Sequence, residues 1–279
     1  MNRTARQDYI KMFAADGTVL LHSDRQPARY RPLRAVQSFQ ALMKDKEDTS
    51  LVFKIFESLP SRDFMPRVRD LALSERGEFL RSSELSLAEI LDDHATLRRT
   101  PKGSLAHAYC DFMEAQGLSA AGLTAEYERA GRPKYPDLVE WFITRSRDTH
   151  DLFHILTGYG RDALGEQCVL LFTHGQAPSQ GHLLIGYAGA ANIVRTAKGS
   201  KAPVFGAVRQ AHRTGKGAPP LISQPISKLL ERPLDELRTA LHIPEPTQYR
   251  ECHRVWSAEG IDPYNLLASK PADPELLAA

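Results

Sequence analysis

Residues 137–172 read DLVEWFITRSRDTHDLFHILTGYGRDALGEQCVLLF, and this stretch decides the expected fold. Apolar residues recur along it at helical spacing, which is typical of helices with one buried side. Asp137, followed three positions later by Glu140, forms a capping box that predicts the start of a helix. Gly158 and Gly160 predict its end. The stretch therefore predicts a helix, a glycine break and a further apolar helix.

The same stretch contains the pattern H-D-x-x-H-x11-E. His150 and His154 are four positions apart, so on one helix they share a face on which two imidazoles can bind one cation. Asp162 predicts the cap of the second helix, which carries Glu166 in its first turn. Asp151 lies about 100° around the helix from His150, so it is either a ligand or a group that orients a histidine. The pattern predicts a divalent metal site on a helix hairpin; histidines on a helix surface or hydrogen-bonded in the core are the alternative.

Composition excludes several classes of protein. The 279 residues are 42% hydrophobic and carry 36 Lys and Arg against 34 Asp and Glu, a net charge of +2, so no nucleic-acid partner is expected. The three cysteines lack C-x-x-C spacing, which argues against disulfides or a zinc ribbon and favours buried thiols in a reducing compartment. The first thirty residues hold no long apolar run, so no signal peptide is expected.

Apolar spacing elsewhere is mostly helical and strand-like alternation is scarce, so we predict an all-α fold. We expect residues 1–30 to be irregular, residues 31–245 to form a single helical domain, and the proline-containing residues 246–279 to be peripheral. One buried helical stripe is expected to consist of Leu33, Val36, Phe39, Leu42 and Met43.

A long segment of the chain contains no acidic residue. Between Glu166 and Glu231 there are seven Lys and Arg and no Asp or Glu. These charges favour an anionic substrate or an acidic membrane surface, unless acidic residues elsewhere in the fold neutralise them. The longest apolar run, residues 183–194, has a length that suits a buried or interfacial helix.

These residues, together with further motifs, resemble the Coq4 family of coenzyme Q (ubiquinone) biosynthesis proteins, whose hallmark is the H-D-x-x-H-x11-E pattern. The resemblance covers about residues 31–243, with departures at Thr100, Ser146 and Thr173. The further matching motifs are Asp48-Thr49, Val52-Phe53-Lys54-Ile55, Pro101-x-Gly103, Ala108-Tyr109-x-x-Phe112, Arg147, Leu164-Gly165-Glu166, Pro233-Leu234 and Glu236-Leu237.

The resemblance implies an all-helical fold and a divalent ion, zinc in the first instance, held by His150, Asp151, His154 and Glu166. The same four residues are then the catalytic ones. The implied reaction removes the C1 carboxylate of a polyprenylated hydroxybenzoate and replaces it by hydroxyl at a membrane surface. Because zinc has no redox chemistry, iron or manganese are alternatives, and two histidines with a carboxylate suit either.

The resemblance also implies peripheral membrane contact and association with other ubiquinone biosynthesis proteins, and it is compatible with a homodimer. We expect the protein to lie at the cytoplasmic face of the inner membrane in a bacterium, or at the matrix face of the mitochondrial membrane in a eukaryote. One alternative is a non-catalytic lipid-binding scaffold that organises the biosynthetic complex. An HD-type phosphohydrolase and a zincin-like protease fit less well, since the first needs further histidine and aspartate ligands and the second needs glutamate after the first histidine.

Overall fold

The structure is a computed structural model that describes residues 3–44, 49–129, 131 and 133–266. Within these ranges the regular structure is helical, apart from two isolated antiparallel bridges, which confirms the all-α prediction. The helices are α1 (Arg3–Ile10), α2 (Pro32–Leu42), α3 (Thr49–Ser58), α4 (Phe64–Ala72), α5 (Glu75–Ser83), α6 (Leu87–Asp92), α7 (His94–Leu97), α8 (Leu105–Gln116), α9 (Ala120–Arg129), α10 (Leu138–Asp148), α11 (His150–Thr157), α12 (Ala163–Gln176), α13 (Gln180–Thr196), α14 (Val204–Gly217), α15 (Ile226–Leu230), α16 (Leu234–Ala240) and α17 (Thr247–Glu259), with a 3₁₀ turn at Leu221–Ser223.

Side-chain caps start helices α10 and α12, as the following contacts show. The Asp137 carboxylate accepts a hydrogen bond from the Glu140 amide at the start of α10, as the sequence predicts. Asp162 likewise accepts from the amides of the first turn of α12, which confirms the second predicted cap. Gly158 has a φ of 74°, a conformation that glycine adopts without a Cβ penalty, and it follows the end of α11.

The segment between Asp137 and Gly158 is interrupted, so the prediction of one continuous helix there is wrong. Helix α10 ends at Asp148 and α11 begins at His150. The hydroxyl of the intervening Thr149 donates to the carbonyls of Arg145, at 3.0 Å, and Ser146, at 3.2 Å. A threonine hydroxyl bonded back to the preceding turn bends a helix, which accounts for the break.

The described chain forms two compact units, each assembled from three separated segments. Unit 1 comprises Met1–Ala28, Ser61–Leu156 and Pro220–Leu241, and unit 2 comprises Arg29–Pro60, Thr157–Pro219 and His242–Ala279. The single domain expected over residues 31–245 stays a prediction.

Unit 1 has a hydrophobic core at the start of α10. Its buried members are Leu20, Leu21, Val68, Ala72, Leu138, Val139 and Phe142. Ion pairs also fix the start of α10, because the Arg25 guanidinium donates to Asp137 at 2.8 Å and to Glu140 at 2.7 Å. Both carboxylates are largely buried, so the ion pairs satisfy charges that water does not reach.

Unit 2 contains a second core that packs α2 and α3 against α13. Its buried members are Ala35, Leu42, Ile55, Leu59 and Ile185. On α2 the buried face carries Ala35, Ser38 and Leu42, whereas Leu33 and Val36 are 79% and 45% exposed. The prediction that Leu33 and Val36 are buried is therefore wrong. Helix α2 packs instead through the face that carries the small residues Ala35 and Ser38.

The apolar run at residues 183–194 lies in α13, which is buried at Ile185 and Ile193 and partly exposed at Leu183 and Val194. No helix in the described ranges combines the length and the apolar character needed to cross a membrane.

Both ends of the chain differ from the predictions. The segment expected to be irregular contains α1, and Leu20 and Leu21 join the core of unit 1. The segment expected to be peripheral contains α17, in which Tyr249, Cys252 and Trp256 are buried in unit 2. These three residues follow helical spacing at intervals of three and four, but strongly polar neighbours hide the stripe.

Helices α12 and α14 of unit 2 approach each other backbone to backbone at two glycines. A Cβ on Gly215 would lie 2.1 Å from the Phe172 carbonyl oxygen, and one on Gly175 would lie 2.5 Å from the His212 carbonyl oxygen. Only residues without a side chain allow this approach, since the neighbouring atoms belong to helix backbone and cannot rotate away.

We expect Gly215→Ala to lower the free energy of unfolding by at least ~1–3 kcal/mol, because the new methyl group forces α12 and α14 apart. Gly217→Ala is the matched control on the same helix, since a Cβ there would meet nothing within 4 Å. Urea unfolding of both variants measures the difference. Equal stability of the two variants would contradict the close approach.

Candidate metal centre

Helix α11 brings three of the predicted ligands together. His150, Asp151 and His154 each offer one ligand atom, and these atoms all lie within 4.8 Å of one another. The two imidazole rings have centroids 5.1 Å apart and are nearly perpendicular, at 82°. His154 is buried, while the other two are half-buried. Protein atoms therefore cover the group on the side of His154, and the Asp151 carboxylate lies close enough to both histidines to share one ion with them.

The donor chemistry of this group fits a divalent ion. Two imidazole nitrogens and a carboxylate oxygen are the donors found around catalytic zinc, and they equally suit iron(II) or manganese(II). Three protein ligands leave a further coordination position for water or substrate. The arrangement can therefore bind a metal that remains accessible to a reactant.

Helix α8 contributes one aromatic ring that contacts the buried histidine and a second, Tyr109, that senses the charge of Asp151. The ring of Phe112 stacks on His154, with centroids 5.6 Å apart and planes at 27°. Tyr109 is buried, and its burial, reinforced by the negative charge of Asp151, raises the pKa of its hydroxyl well above the usual range. Tyr109 therefore keeps its proton at neutral pH. The sequence contains both residues in a family motif but indicates no role for either.

The charge environment just before α11 is also unusual. Asp148 is buried, and its carboxylate accepts a hydrogen bond from Arg147 Nε at 2.8 Å. Burial raises the pKa of Asp148 more than the neighbouring guanidinium lowers it. The residue is thus held in a site that disfavours its charged form.

Arg238 satisfies the carboxyl end of α11. Its guanidinium donates to the carbonyls of Leu156, at 3.0 Å, and Ile155, at 2.9 Å. These carbonyls lie in the last turn, where a helix lacks internal donors and where a positive charge complements the helix dipole. No local signal marks this residue, since it lies 82 positions from Leu156.

We expect Arg238→Met to lower the free energy of unfolding by ~1.5–3 kcal/mol, because hydrogen bonds from a charged donor to two partly buried carbonyls are lost. Arg254→Met is the control, since Arg254 is 70% exposed and pairs with Glu251 on the surface. It should change stability by less than ~0.5 kcal/mol. Thermal unfolding compares the two variants, and equal effects would rule out a structural role for Arg238.

Glu166, the fourth predicted ligand, lies in unit 2. It occupies the first turn of α12, as predicted, is half-buried, and has Oε1 3.6 Å from Arg161 Nε. The histidines belong to unit 1, so the participation of Glu166 in the metal centre stays a prediction.

A buried network fixes the turn in which Glu166 lies. Asp162 Oδ1 accepts from the amides of Leu164, at 3.0 Å, and Gly165, at 3.2 Å. A Cβ on Gly165 would lie 1.9 Å from the Gly160 carbonyl oxygen, so only glycine fits at this position in the first turn of α12. The local sequence G-R-D-A-L-G-E is therefore folded tightly back on itself.

The second oxygen of Asp162 is bound by α17. The Tyr249 hydroxyl donates to Asp162 Oδ2 and accepts from the Gly160 amide at 2.9 Å, and His253 Nε2 lies 3.4 Å from Oδ2. Burial raises the pKa of Asp162, but the nearby His253 ring and the hydrogen bond from Tyr249 outweigh it, so the pKa lies below its ordinary value. Asp162 is thus charged and fully bonded in the folded state.

We expect Tyr249→Phe to lower the free energy of unfolding by ~1–3 kcal/mol, because it leaves a buried carboxylate and an amide with fewer partners. The folded pKa of Asp162 lies below its unfolded value, so its stabilisation is full above the unfolded pKa and is lost as pH falls through the folded one. Without the Tyr249 hydroxyl, the pKa of Asp162 in the folded state rises.

The acid unfolding midpoint of Tyr249→Phe should therefore move to higher pH. Tyr264→Phe, at an exposed tyrosine of the same unit, should leave the midpoint unchanged. Circular dichroism against pH measures both variants. A midpoint that stays at the wild-type pH in Tyr249→Phe would disprove the coupling of Tyr249 to Asp162.

Fold and site together define a class: an all-helical protein with a histidine-rich metal-ligand group on one helix. The family model of the coenzyme Q (ubiquinone) biosynthesis protein Coq4 matches residues 84–247, more than half of the chain. The chain belongs to this family, and it therefore has a role in ubiquinone biosynthesis.

Relatives extend the similarity over most of the chain. A mitochondrial ubiquinone biosynthesis protein of Aspergillus clavatus is 25% identical over 264 residues, which cover 88% of this chain and 86% of that protein. One from Arthroderma otae is 29% identical, covering 72% of this chain and 73% of its own. A crystal structure of a Nostoc punctiforme protein described as belonging to ubiquinone biosynthesis shares the fold, with a TM-score of 0.56 and 19% identity over 77% of this chain and 100% of that one.

Proposed function

We propose that the protein catalyses the oxidative removal of the C1 carboxylate from a polyprenylated hydroxybenzoate, with hydroxyl as the replacement. The observation that carries this proposal is the group of His150, Asp151 and His154, with ligand atoms within 4.8 Å, in a chain of the Coq4 family. Glu166 is proposed as the fourth ligand. A bound divalent ion, zinc first and iron or manganese as alternatives, would supply a Lewis acid for a phenolate or carboxylate oxygen.

The surrounding residues suit a site that binds an aromatic ring out of water. Phe112 stacks on His154 and the neutral Tyr109 is buried, so α8 presents two aromatic side chains on this side of the metal-binding group. A low-dielectric wall strengthens every electrostatic interaction with developing charge on the ring. These residues would orient the substrate and exclude solvent.

The acid-free segment would bind the substrate carboxylate or an anionic lipid surface. Two of its arginines have neutral partners, since Arg195 donates to the Asn192 amide oxygen and Arg209 donates to the Phe205 carbonyl. Such guanidiniums keep their charge available for an anion. They support peripheral contact with a membrane. The fungal relatives are named as mitochondrial. The location that we propose is the matrix face in a mitochondrion or the cytoplasmic face in a bacterium.

The reaction needs an electron acceptor. When water supplies the new hydroxyl oxygen, loss of CO₂ from the ring releases two electrons and two protons. Dioxygen can accept the two electrons and the two protons and leave as hydrogen peroxide. Peroxide formed in equal amount with the hydroxylated product is therefore expected, and ¹⁸O-labelled water should place the label in the ring hydroxyl.

We expect His154→Ala to lose at least ~100-fold of the product-forming activity, because even groups that only support metal ligands contribute ~10–100-fold to metal affinity or activity. His242→Asn is the control. His242 is exposed and has a φ of 54°, a conformation that asparagine also tolerates, so this variant should keep full activity.

The assay incubates metal-analysed protein anaerobically with a prenylated 4-hydroxybenzoate, then adds oxygen and follows the ring product by mass spectrometry. Full activity in His154→Ala would contradict the proposal. Lipid that is bound but unchanged by metal-loaded wild-type protein would favour the non-catalytic scaffold, which also predicts that His154→Ala still copurifies with other ubiquinone biosynthesis proteins.

A further inference from the structure

A second group of metal-binding side chains lies in unit 1, outside the centre on α11. His94 is the first residue of α7, and Cys110 and Glu114 are four positions apart on one face of α8. Each offers one ligand atom, and the three atoms lie within 4.8 Å of one another. His94 Nδ1 is 3.0 Å from Glu114 Oε1. A nitrogen, a sulfur and an oxygen from two helices thus converge.

This group is separate from the centre on α11. Phe112, which stacks on His154, lies two residues from both Cys110 and Glu114. At ~100° per residue it points about 200° away from each of them around α8. His154 therefore contacts one face of α8, and Cys110 and Glu114 lie on the opposite face.

Charge and orientation within the group favour a cation. Arg98 donates to Glu114 Oε2 at 2.7 Å and to Asp111 Oδ1 at 2.5 Å, so Glu114 Oε1 is the oxygen that faces His94. The contacts with Arg98 and His94 fix the orientation of the Glu114 carboxylate. Because Asp111 balances the charge of Arg98, the Glu114 carboxylate and a Cys110 thiolate together match a divalent ion.

We propose that His94, Cys110 and Glu114 form a second metal site, selective for Zn²⁺ and chemically similar ions, which links α7 to α8. The three donor types are those that zinc takes together, and three protein ligands leave the fourth tetrahedral position to water. The sulfur selects against Mg²⁺ and Ca²⁺, which prefer oxygen ligands. The His94 nitrogen and Glu114 oxygen are already separated by about the spacing of two ligands on one tetrahedral ion.

Binding at this site couples to the Cys110 thiol. The side chain is buried, and a cysteine thiol ordinarily carries its proton at neutral pH. The ion must displace that proton, since the thiolate is the ligand. Affinity therefore increases with pH, and each ion bound releases a proton.

Cobalt(II) gives a test that distinguishes this site from the centre on α11. Metal-free, reduced full-length protein is titrated with Co²⁺ without oxygen, and the near-ultraviolet thiolate-to-cobalt charge-transfer band is recorded. The ligands proposed on α11 and α12 include no sulfur, so they cannot produce this band. We expect cobalt to produce the band in wild-type protein, saturating at one thiolate-bound ion per chain whatever binds on α11, and we expect Cys110→Ser to abolish it.

The other two cysteines provide matched controls, because Cys168 and Cys252 are also buried free thiols. The band should persist in Cys168→Ser and in Cys252→Ser. Absence of the band in wild-type protein, or its persistence in Cys110→Ser, would overturn the proposal. Loss of the band only in Cys168→Ser would assign the thiolate ligand to Cys168 and would also overturn the proposal.

A second pair of variants avoids the buried cysteine. Glu114 has a side chain that is 52% exposed, so Glu114→Gln should fold normally and bind cobalt at the thiolate site at least ~10-fold more weakly. Asp111→Asn removes the neighbouring exposed carboxylate that Arg98 also contacts, and it should weaken binding much less. Equal affinities in wild-type protein and Glu114→Gln would remove Glu114 from the site and disprove the arrangement.

Discussion

The buried guanidinium of Arg145 is the interaction on which the candidate metal centre most depends. It donates to Glu84 Oε2 and to the carbonyls of Ile222 and Gln224, at 2.6–2.7 Å, and is only 3% exposed. The other oxygen of Glu84 accepts from the Ser227 amide at 2.7 Å. A charge removed from water is tolerated only when every donor is satisfied, so the three chain segments that meet here are held in one arrangement.

That arrangement positions α11, because His150 follows Arg145 by only five residues. Asp137 and Arg25 hold the start of α10, and Arg238 holds the end of α11. The two helices between these contacts are therefore anchored at both ends and near the middle. Ligands on such a segment are preorganised, which reduces the entropy lost when a metal or substrate is bound.

Helix α8 connects the two groups of metal-binding side chains in unit 1. One face presents Phe112 to His154, and the opposite face presents Cys110 and Glu114 to His94. An ion that links α7 to α8 would hold Phe112 against the buried histidine without contacting the substrate. The H-D-x-x-H spacing indicates the group on α11 in the sequence, whereas no spacing indicates the group on α7 and α8, which the fold brings together.

Local sequence patterns predict the helical class, the caps at Asp137 and Asp162, and the shared face of His150 and His154, because all of these depend on contacts within one or two helical turns. The sequence also contains the motifs of the family. Contacts between distant parts of the chain, by contrast, set which face of α2 is buried, bring α17 into a core, and make Arg145 and Arg238 hold the segment with the ligands. These contacts join residues up to 89 positions apart, and a hydrogen bond over such a distance leaves no periodic pattern in the local sequence.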